Sequence, residues 1–308
     1  MEIKVPLVSV IIPTYQKFIF LEEAIHSVYI QDYQNIEIIL ADDGSENFDI
    51  NMINNIFSRK TENIKRTKLI HHERNNGTVK NLNNAYKEAT GEYFIGLSSD
   101  DRFYNISTIR KVVDHFLSTN ALIVTSKRMV DNELREILPK QEDIDILRTN
   151  SFSLYNRLSI SNFISGACTF YHRSIFDQYG YYDEKYRLIE DYPYYLSLIR
   201  KNVQIHFFDE ITILYRLGGV TSSKSKNILL QEDALNIIGD ILKYPKMLQK
   251  KVYRFKKYQF QFEQSNKKLN LKILFLYPDI IIKKIKLRFQ NTFSKVGKAR
   301  ENGIFKKV

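Results

Sequence analysis

A chain of 308 residues, 44% hydrophobic and 13% aromatic, can build a substantial core as one large domain or two medium ones. Its single cysteine, Cys168, excludes an internal disulfide and fits a reducing compartment. The net charge of +11 is lopsided: from Lys243 onward stand 19 basic and 3 acidic residues, a balance of +16, so everything before carries −5. The anionic partner implied by the basic charge therefore belongs to the tail. The opening MEIKVPLVSVIIPTY lacks the apolar stretch and small-residue cleavage site of a secretory leader and reads as a strand. No uncharged apolar run reaches the ~18 residues of a membrane span. The nearest candidate, Leu269 to Ile282, is interrupted by Lys272, Pro278 and Asp279.

In chain order, Val8–Pro13 (VSVIIP) is a continuous β-branched apolar run, as expected of a central parallel strand covered on both faces. Phe20–Tyr29 has helical spacing, and Ile36–Leu40 (IEIIL) is a second strand ending at Asp42-Asp43-Gly44-Ser45. Asp49–Ser58 reads as a helix and Thr67–His71 as a third strand running into Asn75-Asn76-Gly77. Lys80–Glu88 is a helix stopped by Gly91, and Tyr93–Leu97 (YFIGL) a fourth strand ending at Ser98-Ser99-Asp100-Asp101. Leu122–Thr125 continues the sheet, and Lys127–Leu158 reads as surface loops or short helices. Ala167–Tyr171 and Ile211–Tyr215 look like later strands, Asp191–Lys201 like a helix, and the chain from Asn227 onward like Lys-rich, aromatic-rich helix. Alternating strands and helices predict an α/β fold with a central, mostly parallel sheet flanked by helices.

The polar residues Thr14, Tyr15 and Gln16, the pair Asp42-Asp43 and the pair Asp100-Asp101 each follow a strand. Ligands of open α/β sheets bind beyond the carboxyl ends of the strands, so these groups are expected in one crevice. No G-x-G-x-x-G or G-x-x-x-x-G-K-S/T loop is present to cradle phosphate. A diphosphate held without such a loop calls for a divalent cation, and adjacent carboxylates offer the hard oxygens that Mg²⁺ or Mn²⁺ takes. Asp-Asp-Gly-Ser is also a good turn sequence, and two carboxylates opening a helix could serve only to cap it. The histidines show no zinc spacing and no G-x-S-x-G elbow is present, which argues against zinc and serine hydrolases.

The order VSVIIPTY (8–15), ADDGS (41–45), NNGTVKN (75–81), GEYFIGLSSDD (91–101) and Glu190-Asp191 resembles family 2 glycosyltransferases of the GT-A fold, over residues 5 to 222. That resemblance implies a catalytic domain over 1–225, with a nucleotide-binding half (1–105) and an acceptor half (106–225), followed by a basic helical extension over 226–308. By position, Pro13, Thr14 and Tyr15 would line the base of a nucleotide-sugar donor, expected to be UDP-linked, and Asp43 would meet the base edge. Lys80 stands where relatives usually carry Arg and would face base or diphosphate. Asp100 would bind ribose or the metal shell, and Asp101 would be the direct ligand of Mn²⁺ or Mg²⁺. Many relatives read Asp-Ser-Asp-Asp at 98–101, so the first acid of the usual D-x-D is missing here. Asp191 matches the family's general base, with Glu190 positioning hydroxyls. Gly166 and Ala167 would let an acceptor approach the backbone, and Arg216 in Tyr215–Ser222 would belong to a segment closing on the diphosphate. Gly218 stands near the place where some relatives carry a metal-binding histidine.

In the tail, Lys250-Lys251, Arg254, Lys256-Lys257, Lys267-Lys268, Lys283-Lys284, Lys286 and Arg288 alternate with aromatic and aliphatic residues such as Phe255, Tyr258, Phe275 and Phe289. Basic amphipathic helices of this kind lie on anionic bilayers. The expectation is therefore a cytoplasmic enzyme, peripheral at the inner membrane face, acting on a lipid-linked or growing glycan acceptor, with no nucleic-acid partner. The rival readings are a non-catalytic nucleotide-sugar or membrane-binding module, for which the shortened D-x-D would be the sign, and a dinucleotide oxidoreductase, disfavoured by the absent glycine fingerprint.

Overall fold

The computed structural model describes residues 5–131, 135–217, 227–265, 268 and 271–282. Gly218 and the rest of the expected closing segment, with Lys267, Lys283, Lys284, Lys286, Arg288 and Phe289 of the tail, lie outside the described residues. The chain divides into two compact units, Met1–Ile237 and Ile238–Val308.

The first unit opens with β1 (Val8–Thr14), α1 (Leu21–Tyr29), β2 (Ile36–Asp42), α2 (Ile50–Ser58), β3 (Ile64–His71), α3 (Thr78–Glu88) and β4 (Tyr93–Gly96). β1 pairs in parallel with both β2 and β4, and β2 with β3, so the first four strands form one parallel block in the order β3-β2-β1-β4. Every residue of β2 is buried, which is why IEIILAD reads as an unbroken apolar run. Apart from the terminal Asp42, its exception is Glu37, which is fully buried and accepts hydrogen bonds from Ser9 Oγ and the Thr90 and Gly91 amides, which removes the desolvation problem of an interior carboxylate. That network pins the starts of the strands, opposite the edge where the acidic pairs emerge.

The chain continues through β5 (Arg102–Phe103), α4 (Thr108–Thr119), β6 (Ile123–Val130), β7 (Ile137–Leu138), α5 (Gln141–Leu147) and α6 (Ser151–Ile160). It then forms β8 (Thr169–His172), α7 (Ser174–Tyr179), α8 (Asp191–Arg200), β9 (His206–Tyr215) and α9 (Ile228–Leu242). β8 inserts antiparallel between β4 and β6, and β9 pairs with β6 in parallel. The sheet thus extends as β4-β8-β6-β9-β5, with β7 hanging on β6.

Sequence pattern alone assigns nothing to 108–119, yet α4 buries Ile109, Val112, Val113 and Phe116 at helical spacing. Of the two readings of 127–158, surface loops or short helices, the helices are found: α5 and α6 bury Ile144, Leu147, Leu154 and Leu158, while β6 runs on to Val130. Alternation along β4 separates two cores. Tyr93 and Ile95 join the aliphatic cluster shared with α1, α2 and α4, while Phe94 faces an aromatic cluster on the other side. There Tyr86 and Phe176 lie 4.8 Å apart, and Tyr182 meets Tyr194 edge-on at 5.1 Å. The aromatic cluster draws on α3, α7 and α8, so it anchors the helix that begins at Asp191.

The second unit contains the end of α9, α10 (Lys250–Gln264) and α11 (Leu271–Leu276). Tyr258, Ile273, Tyr277 and Ile281 form its small core. Lys256 is corrected by the structure: it is 4% exposed rather than part of a basic surface, and burial lowers its pKa to about 8. Arg254 is exposed but bonded to Asp279 Oδ2 (2.8 Å) and to the Leu276 carbonyl (3.1 Å).

Candidate active site

The parallel strands β1, β2 and β4 are neighbours, so their carboxyl ends deliver Thr14, Asp42-Asp43 and the 98–101 turn to one edge. The two acids after β2 do different work. Asp42 is fully buried and accepts from Ser45 N (2.8 Å) and Ser45 Oγ (2.6 Å), with His71 Nδ1 at 2.9 Å, so it holds the turn. Asp43 accepts the Asn76 and Gly77 amides at 2.8 and 2.9 Å, one on each oxygen. Burial raises its pKa, and those two amides pull it back. Asp43 therefore fixes the start of α3 whether or not it also meets a base. Thr14 is buried with its hydroxyl on the Lys17 carbonyl (3.2 Å), Pro13 is half-buried, and Tyr15 and Lys80 are exposed.

A cavity of about 240 Å³ opens beside this edge. Asp100, Gly166, Ala167, Glu190, Asp191 and Arg216 all line it, so six of the sequence-derived positions converge. Pro13, Thr14, Tyr15, Asp43, Lys80 and the buried Asp101 are not among its walls. Thr78, Ser98, Ser165, Leu188, Ile189 and Tyr215 complete the lining. None of them was given a role by sequence, although Thr78, Ser98 and Tyr215 lie within the motifs that carry the resemblance.

Asp191 stands at the head of α8. Its Oδ2 accepts the Gly166 amide at 3.0 Å and its Oδ1 the Tyr192 amide at 2.6 Å. A Cβ on Gly166 would sit 3.2 Å from that Oδ2, which is why the approach suits a glycine. Glu190 makes no side-chain capping bond, so a pure helix-capping role does not describe it. Both residues keep part of their surface in the cavity, yet burial raises both pKa values. Glu190 is pushed further by the Asp191 charge beside it, whereas the amides of Tyr192 and Gly166 favour the ionised form of Asp191. Glu190 is thereby made the weaker acid and Asp191 the one that more readily carries the charge, the order that suits Asp191 to taking a proton.

Asp101 lies beneath Asp100 and is fully buried. Its Oδ1 accepts the Arg216 amide at 2.8 Å, and its Oδ2 has no hydrogen-bond partner among the described residues. Burial, with the Asp100 charge adding to it, raises its pKa to about 7. A buried carboxylate oxygen without a donor is a costly arrangement that either a proton or a cation relieves. Among the described residues no three His, Cys, Asp or Glu side chains cluster as a metal cage. One orphaned carboxylate fits an ion that arrives with a diphosphate and keeps other oxygens from phosphate and water.

The Arg216 side chain is held by contacts within the chain. Its Nη2 pairs with Glu23 at 2.8 and 2.7 Å, its Nη1 donates to the Asp100 carbonyl at 2.9 Å, and its guanidinium lies 4.0 Å from the Phe20 ring centroid. Arg216 thereby ties the end of β9 to α1 and to the Asp100-Asp101 turn.

Four acids of this edge, Asp43, Asp101, Glu190 and Asp191, have folded-state pKa values above their ordinary ones. Between about pH 4 and pH 8 these four groups hold protons in the folded chain that they release in the unfolded one, so their contribution to stability falls as pH rises through that range. In the presence of a chelator, melting should therefore occur at higher temperature near pH ~5.5 than near pH ~8. Asp101→Asn should flatten part of that slope; an unchanged slope would show that Asp101 is not a raised acid.

The family model described as glycosyl transferase family 2 matches residues 9–180, more than half of the chain. The chain belongs to glycosyl transferase family 2. An uncharacterized glycosyltransferase of Haemophilus influenzae is 28% identical over 245 residues, covering 77% of this chain and 92% of that protein. One from Rickettsia felis is 28% identical over 231 residues, 71% of this chain but only 35% of that longer protein. Among solved structures, Staphylococcus aureus TarS 1-349 in complex with UDP-GlcNAc superposes with a TM-score of 0.60 at 19% identity, covering 86% of this chain and 77% of that one. The mannosyltransferase PcManGT from Pyrobaculum calidifontis, in complex with GDP-Man and Mn²⁺, gives 0.59 at 15% identity, covering 78% and 65%. At these identities the structural likeness establishes the GT-A fold.

Proposed function

We propose that the chain is an inverting glycosyltransferase that moves a sugar from a UDP-linked donor to a hydroxyl of a lipid-linked or growing glycan in cell-surface polysaccharide synthesis. The observation that carries this reading is the Asp191 carboxylate, held by the Gly166 and Tyr192 amides in a cavity that Asp100 also lines. Asp191 takes the proton of the acceptor hydroxyl as its oxygen bonds to the anomeric carbon, and the opposite bond to the diphosphate oxygen breaks with its electron pair leaving on UDP. Glu190, kept protonated by its surroundings, donates a hydrogen bond to a sugar hydroxyl. Asp101, with Asp100 beside it, would hold Mn²⁺ or Mg²⁺, which when bound offsets the charge of the departing diphosphate. The UDP and UDP-GlcNAc complexes of TarS and the GDP-Man and Mn²⁺ complex of PcManGT support a nucleotide-sugar donor and a metal.

Screening nucleotide sugars with Mn²⁺ tests the proposal: one donor should be hydrolysed slowly to free nucleotide and faster with acceptor. Tight nucleotide binding with no release from any donor would make the chain a binding module instead.

The second unit is read as the membrane-facing part. Lys250, Lys251, Lys257, Lys268 and Lys272 are exposed, and Leu271 and Phe275 are each 86% exposed on α11. No helix among the described residues is long and apolar enough to cross a membrane. Lysine and exposed aromatic side chains together suit the surface of an anionic bilayer, at about 1 kcal/mol per basic residue. The full chain should sediment with vesicles containing phosphatidylglycerol and not with neutral ones, and release in high salt. Equal sedimentation with both would contradict this reading.

A further inference from the structure

Asp233, on α9, lies outside both the residues matched by the family model and the motif-bearing span that ends at Ser222. It is 3% exposed, and no described Lys, Arg or His pairs with it. What meets its charge is backbone. Arg187 N lies 3.1 Å from each oxygen, and Leu188 N and Ile189 N lie 2.7 and 3.0 Å from Oδ2. Three successive amides turned onto one carboxylate make an anion nest, built here around a side chain of the same chain.

The strip so held leads directly into Glu190 and Asp191. Leu188 and Ile189 are themselves walls of the cavity. From the other side the Arg187 carbonyl accepts Val79 N at 3.2 Å, and a Cβ at Gly77, where φ is +93°, would come within 2.7 Å of it. The strip is therefore clamped between the start of α3 and the inner face of α9. An amide run this close to the reacting groups has few other ways to satisfy three donors, because it lies in neither helix nor sheet.

We propose that Asp233 is a positioning residue for the two catalytic carboxylates: by gathering the amides of 187–189 it sets where Glu190 and Asp191 stand, which makes α9 part of the active site. This rests on the reading of Asp191 as the base. The negative charge of Asp233 is also among the influences that keep Glu190 protonated.

The test uses the full chain and the donor hydrolysed in the nucleotide-sugar screen, with UDP binding measured by calorimetry. Asp233→Ala should lower kcat by about 10- to 100-fold, as misplacement of a catalytic group by an ångström does, while UDP affinity stays within about twofold. Asp233→Asn keeps one acceptor oxygen and should recover part of the lost kcat. Amide hydrogen exchange at 187–189 should quicken in both variants. Wild-type kcat in either variant, or UDP affinity falling in step with kcat, would overturn the proposal. If Asp233→Ala does not fold, Asp233→Asn decides alone by the same two readouts. Asp191→Asn run alongside separates the failures: an active Asp191→Asn sinks the base assignment, whereas an inactive one beside a fully active Asp233→Asn sinks only the role of Asp233.

Discussion

Asp191→Asn should reduce sugar transfer by about 10²- to 10⁴-fold, the usual contribution of a general base, while leaving UDP affinity nearly unchanged. The substitution preserves shape but removes the acceptor of the hydroxyl proton. It also creates a local conflict. In the native chain one oxygen accepts Gly166 N and the other Tyr192 N, so an asparagine must turn its NH₂ toward one of those amides. The lost bond and the facing donors should cost about 1–3 kcal/mol of stability, which thermal unfolding would register separately from rate. In the wild type, activity should fall as pH drops through the raised pKa of Asp191, since only the carboxylate can accept the proton. That acidic limb should sit above the range of an ordinary aspartate. Near-wild-type transfer by Asp191→Asn would assign the base elsewhere.

The second large effect is expected at Asp101. Asp101→Ala should weaken Mn²⁺-dependent donor binding by about 100-fold, roughly 2.7 kcal/mol, and remove most transfer with it. Loss of the carboxylate also frees the Arg216 amide, so alanine alone could act through β9. Asp101→Asn distinguishes the two routes, because its carbonyl can still accept that amide. If metal dependence disappears in both variants, the orphaned Oδ2 is the cation's ligand. If Asp101→Asn binds donor with Mn²⁺ as the native chain does, the carboxylate serves the fold and not a metal.

The parallel block was readable because its strands are covered on both faces. VSVIIP and IEIIL carry the apolar runs that such burial demands, and the polar residues after the first and the acidic pair after the second mark the ligand edge. Other parts left weaker traces. α4 has a clear apolar face but starts at Ser107 without a side-chain cap. The insertion of β8 antiparallel between β4 and β6 depends on pairing across the whole unit, which no local period encodes. Within the site, the resemblance pointed to Asp101, Glu190 and Asp191, but not to how their neighbours divide the labour. Asp42 and Asp43 look alike in sequence, yet one holds its own turn and His71 while the other holds the start of α3. The Arg216 guanidinium, expected near the diphosphate, is drawn to Glu23, a residue 193 positions away. Asp233 had no signal at all, being one acid in an amphipathic helix 44 residues beyond the strip's Ile189 amide that it binds. Such long-range pairings are properties of the folded chain and not of any motif.

Acids from separate elements of the sheet edge are expected to gather around one sugar nucleotide and its cation. The decisive experiment is a crystal of the full chain grown with UDP and Mn²⁺, with anomalous scattering recorded at the manganese edge. The peak should lie at coordinating distance from Asp101, with the diphosphate beside it and Asp191 across the same cavity. Manganese and UDP bound at a place that includes neither aspartate would contradict the account.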